Sequence, residues 1–103
     1  MSLDTRIKLH DGFKDDAALI EAKGWYREAE VLIGTTRYQL TFYDPIRLNQ
    51  DVLAELERGS FFLEPNVVVV PAVTRANIEA AVTQITASGA YRNLRPSIRP
   101  RVE

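Results

Sequence analysis

Apolar and polar side chains alternate through residues 25–33 and again through 36–43, and Gly34-Thr35 separates the two runs. Alternation with a period of two marks strands that bury one face. A glycine leading a two-residue loop is the signal of a type II′ turn, so the two runs read as one β-hairpin over 25–43. The turn sets a register. It places Val31 opposite Tyr38, Ala29 opposite Leu40 and Arg27 opposite Phe42 on one face. The other face pairs Leu32 with Arg37, Glu30 with Gln39, Glu28 with Thr41 and Tyr26 with Tyr43. The first face suits a core. The second is mostly hydrophilic.

The period then changes. Asp44-Pro45 predicts a helix start, because Asp caps and Pro loses no needed N–H at the first position. The helix is expected over 45–58, closed by Gly59. At 100° per residue, Val52, Leu53 and Leu56 share a face with Ile46 and Leu48 at its edges, and Arg47, Asp51, Ala54, Glu55 and Arg58 lie opposite. Asn49 interrupts the apolar face. An alternative start uses Asn49 as the cap, with the helix beginning at Gln50 and 44–48 forming a structured turn. Four consecutive valines, 67–70, predict a strand covered on both faces. Thr74 caps a second helix over 75–88, stopped by Gly89, with Ile78, Ala81, Val82 and Ile85 as its core stripe.

The ends are read less fully. Thr5 to His10 alternates and predicts a strand, closed by Asp11-Gly12, and Asp15 caps a short helix over 16–23. Residues 91–103 hold four Arg and two Pro and are expected to be an extended tail anchored by Tyr91 and Leu94. The organisation is therefore an N-terminal extension (1–24), an α+β core (25–90) and an Arg/Pro-rich tail (91–103). The expected fold class is α+β: a two-layer sandwich with a small mixed sheet. A helix between the hairpin's second strand and the valine strand makes those two strands parallel. Both helices are expected on the apolar hairpin face. The favoured order puts the valines beside 25–33, antiparallel to it, with pairing to 37–43 as the alternative.

Composition narrows the function classes. Apolar residues make up 46% of the 103 and charged residues 26%, which supports a packed core. A net charge of −1 supplies no whole-molecule field for nucleic acid or an anionic membrane. The absence of cysteine removes disulfides, thiolate chemistry and Cys-based zinc, and it fits a reducing, cytoplasmic setting. No apolar run is long enough to span a bilayer, so no membrane role is expected.

Candidate chemistry is sparse. His10 is the single histidine and reads as exposed on an edge strand. Asp11, Asp15 and Asp16 lack the spacing of a calcium loop and suit turns and caps. Each glycine has a turn or helix end to serve, and no phosphate-cradling pattern occurs. No catalytic residue, metal or cofactor is expected. Arg92, Arg95, Arg99 and Arg101 beside Tyr91 give a weak nucleic-acid signal.

What remains is a surface: the polar hairpin face with Tyr26, Glu28, Glu30, Leu32, Arg37, Gln39 and Tyr43, joined by two of the valines. Two tyrosines, a leucine and two valines together call for cover. The candidates are the extension, through Ile7, Leu9, Phe13, Leu19 and Ile20, or a second subunit. The expected function is a non-catalytic protein–protein interaction or accessory module, most simply a homodimer. One alternative is a small-ligand binder or enzyme using Glu28, Glu30, Arg37, Gln39 and Tyr43. The other is weak nucleic-acid binding through the Arg tail.

Overall fold

The computed structural model describes residues 4–97. In chain order they form β1 (Thr5–Lys8), α1 (Phe13–Lys23), β2 (Trp25–Ile33), β3 (Thr36–Tyr43), α2 (Pro45–Arg58), β4 (Val67–Val69) and α3 (Arg75–Ser88), with a 3-10 turn at Ala90–Asn93. The strands make one mixed sheet in the order β1-β2-β3-β4. Antiparallel pairing joins β1 to β2 and β2 to β3, and β4 runs parallel to β3. The α+β reading holds. Phe13 and Ile20 from α1, and Ile78 and Val82 from α3, share one buried cluster with Ala29, Val31, Leu40 and Phe42 of the sheet.

The helix starts follow local chemistry. The Asp44 side chain accepts from Arg47 N at 2.7 Å with Pro45 first in the helix, so α2 begins there and not at an Asn49 cap. Thr74 accepts from Asn77 N at 3.2 Å to open α3. α1 is longer than expected, starting at Phe13 behind Gly12. Phe13 packs edge-on against Tyr26 at 5.0 Å, and such packing extends a helix that Asp15 alone would open later. Gly24 closes α1 with φ +80°, and a Cβ there would lie 2.6 Å from Asp44 Oδ2 and 2.8 Å from Arg47 Cβ. The left-handed backbone and the close approach both require glycine.

Several expectations are corrected. The valine strand pairs with β3, not with 25–33, because β1 occupies the free edge of β2 from Thr5↔Ile33 to Lys8↔Glu30. The valines are not covered on both faces: β4 lies beyond β3 at the sheet margin, and Val69 is exposed while Val70 is buried. The extension does not cover the polar face. Its strand lengthens the sheet, and its helix buries Phe13 and Ile20 on the core face, leaving Leu19 exposed. The expected register holds from Gly34 to Ala29 and then slips. Between Ala29↔Leu40 and Tyr26↔Phe42, β2 carries one extra residue, a β-bulge with Arg27 and Glu28 set against Thr41. A bulge reverses the facing of everything beyond it. Tyr26 therefore turns into the core opposite Phe42, and Trp25, not Tyr26, faces Tyr43.

After α3 the chain does not run free. Tyr91 and Leu94 are half-buried against the core, as expected. Ser97 N then donates to Arg37 O at 2.8 Å and Pro96 bridges Tyr38, so this segment shares the β3 edge with β4. Asn66, at φ +56°, fills the junction. Its Nδ2 donates to the carbonyls of Gln39 (3.0 Å) and Arg95 (2.8 Å), and its Oδ1 accepts from Arg95 N at 2.7 Å. Arg99 and Arg101 lie outside the described residues.

Candidate functional site

The bulge divides the seven expected surface residues among three environments. Glu30, Arg37 and Gln39 remain exposed on the open face, with Leu32 half-buried beside them. Arg37 Nη1 lies 3.6 Å from Glu30 Oε1, and Gln39 Nε2 donates to Arg27 O at 3.1 Å. The depression there, about 260 Å³, is lined by Arg6, Ile7, Lys8, Glu30, Leu32 and Arg37. Glu28 is drawn away by the bulge and lies 3.7 Å from His10 Nδ1. Tyr26 is in the core, its hydroxyl accepting from His10 N at 2.9 Å. Burial is the main cause raising the Tyr26 pKa, opposed by the His10 backbone bond and aided by Glu28. His10 is thus not an exposed edge-strand residue. It follows β1, is half-buried, and contacts Tyr26 Oη at 3.0 Å and Asp16 Oδ2 at 3.2 Å. No group of three or more potential metal ligands occurs among the described residues.

Tyr43 belongs to a different cluster, where β2 and β3 meet α2. Its buried hydroxyl accepts from Arg27 Nη2 at 3.1 Å and donates to Glu64 Oε1 at 3.0 Å. Arg27 Nε also lies 3.6 Å from Glu64 Oε2. Burial raises the Tyr43 pKa most, Arg27 opposes that shift, and Glu64 adds to it. The Arg27 pKa is raised mainly by its bond to Tyr43. Beside them, Lys23 Nζ and the guanidinium carbons of Arg27 and Arg47 lie 4.8, 5.2 and 5.6 Å from the Trp25 ring centre. Stacked cations on an indole are an attractive arrangement. Arg47 is held there by Asp51 at 2.9 Å. A cavity of about 550 Å³ opens between the Asp51, Ala54, Glu55 and Arg58 side of α2 and the loop 59–64, with Tyr43 and Arg27 lining it. Arg27 is matched by Glu64 and Arg58 by Glu55. A protonated phenol between paired charges suits structural work more than proton transfer near neutral pH.

The cluster dictates how α2 sits. Arg47 and Asp51 face Trp25 and Tyr43, so the charged side of the helix turns inward. This places α2 at the Trp25–Tyr43 end of the sheet face opposite the core, not on the apolar hairpin face as expected. Part of the apolar side, Ile46, Leu53 and Leu56, faces outward, Leu48 and Val52 are half-buried, and none of the α2 residues is fully buried. Ile46, Leu53 and Leu56 are 72%, 55% and 46% exposed, and Phe61 and Leu63 in the following loop are 69% and 83% exposed. Ile46, Asn49, Leu53 and Leu56 recur at steps of three, four and three residues. That spacing makes a single outward seam along the helix.

Sequence reasoning found Ile46, Leu53 and Leu56 but turned them toward the sheet. Asn49 in mid-face was the signal against that assignment, since an unpartnered amide resists burial. No protein-family model, curated protein or solved structure matches this chain.

Proposed function

We propose that this protein is a non-catalytic protein–protein interaction module, homo-oligomeric, whose docking surface is the outward seam of α2 and not the polar hairpin face. One observation carries the reading: an amphipathic helix of 14 residues buries none of them and turns Ile46, Leu53 and Leu56 to solvent. Apolar side chains grouped on one exposed helix face are the usual mark of a partner surface. The small-ligand alternative loses its geometry, because Glu28 and Tyr43 stand apart from Glu30, Arg37 and Gln39. Among the described residues no helix is long and apolar enough to cross a membrane.

The test is Leu53→Glu, compared with the unaltered chain by urea unfolding at low protein concentration and by light scattering at high concentration. A docking surface requires unfolding free energies that agree within about 0.5 kcal/mol, as for surface substitutions, together with loss of association. A large drop in monomer stability would show that Leu53 serves the fold and would end the reading.

A further inference from the structure

We propose that the cavity beside α2 binds a free α-amino acid with an apolar side chain, its carboxylate taken by Arg27 and its ammonium by Glu64. The proposal goes beyond the interaction reading and stands apart from it. The cavity lies on the Asp51, Glu55 and Arg58 side of the helix, away from Ile46, Leu53 and Leu56.

The pairing follows from an ion pair that is held open. Arg27 Nη2 donates to the Tyr43 hydroxyl at 3.1 Å, and that hydroxyl donates to Glu64 Oε1 at 3.0 Å. Arg27 Nε and Glu64 Oε2 stand 3.6 Å apart, beyond hydrogen-bond length. The buried phenol thus fixes a guanidinium and a carboxylate side by side without closing them on each other. A guanidinium carries more donors, and a carboxylate more lone pairs, than one hydroxyl can use. An α-amino acid presents the complementary pair, a carboxylate and an ammonium on neighbouring carbons.

The rest of the wall selects a zwitterion over a simple ion. It also holds Asp51, Glu55 and Arg58. Arg47 binds Asp51 at 2.9 Å, and Arg58 binds Glu55. Each carboxylate of the wall therefore has its own guanidinium. A ligand of either net charge meets as many like charges as unlike ones, whereas a zwitterion finds a partner for each end.

An apolar side chain on the ligand accounts for what the loop 59–64 exposes. Phe61 and Leu63 are 69% and 83% exposed, and both line this cavity. A hydrocarbon side chain lying on them removes apolar surface from water on both partners. The cavity volume of about 550 Å³ falls within the range of small-molecule sites, about 300–1,000 Å³.

Trp25 is the single tryptophan, and the Arg27 guanidinium carbon lies 5.2 Å from its ring centre, so a ligand that engages Arg27 shifts its fluorescence. Titration of the unaltered chain with L-leucine, followed by Trp25 fluorescence and by calorimetry, is expected to saturate with a Kd below about 1 mM. Two analogues each lack one charge: 4-methylpentanoate has no ammonium and 3-methylbutylamine no carboxylate. Each is expected to bind at least about tenfold more weakly, the loss of one charge-assisted hydrogen bond. Glycine, without the side chain, is also expected to bind more weakly. Glu64→Gln keeps an acceptor for Tyr43 but removes the charge. It should bring leucine down to the affinity of 4-methylpentanoate and leave 4-methylpentanoate unchanged, whereas general damage to the cavity would weaken both. The absence of saturable leucine binding would overturn the site. Equal affinity for leucine and either analogue, or equal weakening of leucine and 4-methylpentanoate by Glu64→Gln, would overturn the zwitterion pairing. The association test on Leu53→Glu is unaffected by any of these results.

Discussion

At the scale of single residues, Tyr43 shows how one side chain ties several elements together. Its hydroxyl links Arg27 of β2 to Glu64 in the loop after α2, and its buried ring lines the cavity beside the helix. Tyr43→Phe keeps the ring and removes the link, leaving Arg27 and Glu64 to pair directly. The expected cost is about 1 kcal/mol in urea unfolding, the net worth of a typical hydrogen bond. The phenol also gives the fold an alkaline limit. The Tyr26 and Tyr43 pKa values are both raised above 10.0, chiefly by burial. The native state therefore favours the protonated phenols. Their contribution is complete below pH 10 and is lost as pH rises through the higher native values. Tyr43→Phe should flatten that alkaline loss. Stability measured against pH, alongside tyrosinate absorbance, checks the sign.

Element by element, the legible parts of the fold were those with local causes. The hairpin turn, the caps at Asp44 and Thr74, the strand at Thr5 and the stop at Gly89 could be read because each depends on a few adjacent residues. The bulge could not. Arg27-Glu28 continues the alternation, and only the gains made in three dimensions repay the broken ladder: Tyr26 against Phe13, and Trp25 among its cations. The facing of α2 escaped for a related reason. A periodic pattern shows that a helix has two sides but not which side meets the sheet. The expected pairing of Tyr26 with Tyr43 went with the register, since Tyr26 lies beyond the slip and faces the core. Asn66 was legible only as part of a turn, although it holds β4, β3 and the C-terminal segment together. Asn66→Ala is expected to cost about 2–3 kcal/mol, combining lost hydrogen bonds with a left-handed backbone. Asn66→Gly should recover about 1 kcal/mol of that, because glycine accepts the positive φ. Urea unfolding of the pair separates the two contributions.

For the molecule as a whole, the core lies on one side of the sheet and the unpartnered seam on the other. Folding and association thus draw on different side chains. A dimer that forms only from folded chains raises the unfolding temperature as protein concentration rises. Calorimetry over a wide concentration range should show that dependence for the unaltered chain and a constant Tm for Leu53→Glu. The two unfolding temperatures should converge at high dilution.

The double use of the β3 edge also bears on the fate of the valine run. Four neighbouring β-branched residues favour extended backbone, and Pro65 and Pro71 keep that run short. Here β4 is only three residues long, and the segment ending at Ser97 occupies the rest of that edge. At the opposite margin, β1 carries Arg6 and Lys8, charges that discourage strand addition. The Asn66 side chain, by fastening residues 95–97 beside β4, therefore closes the part of the β3 edge that the short valine strand leaves free.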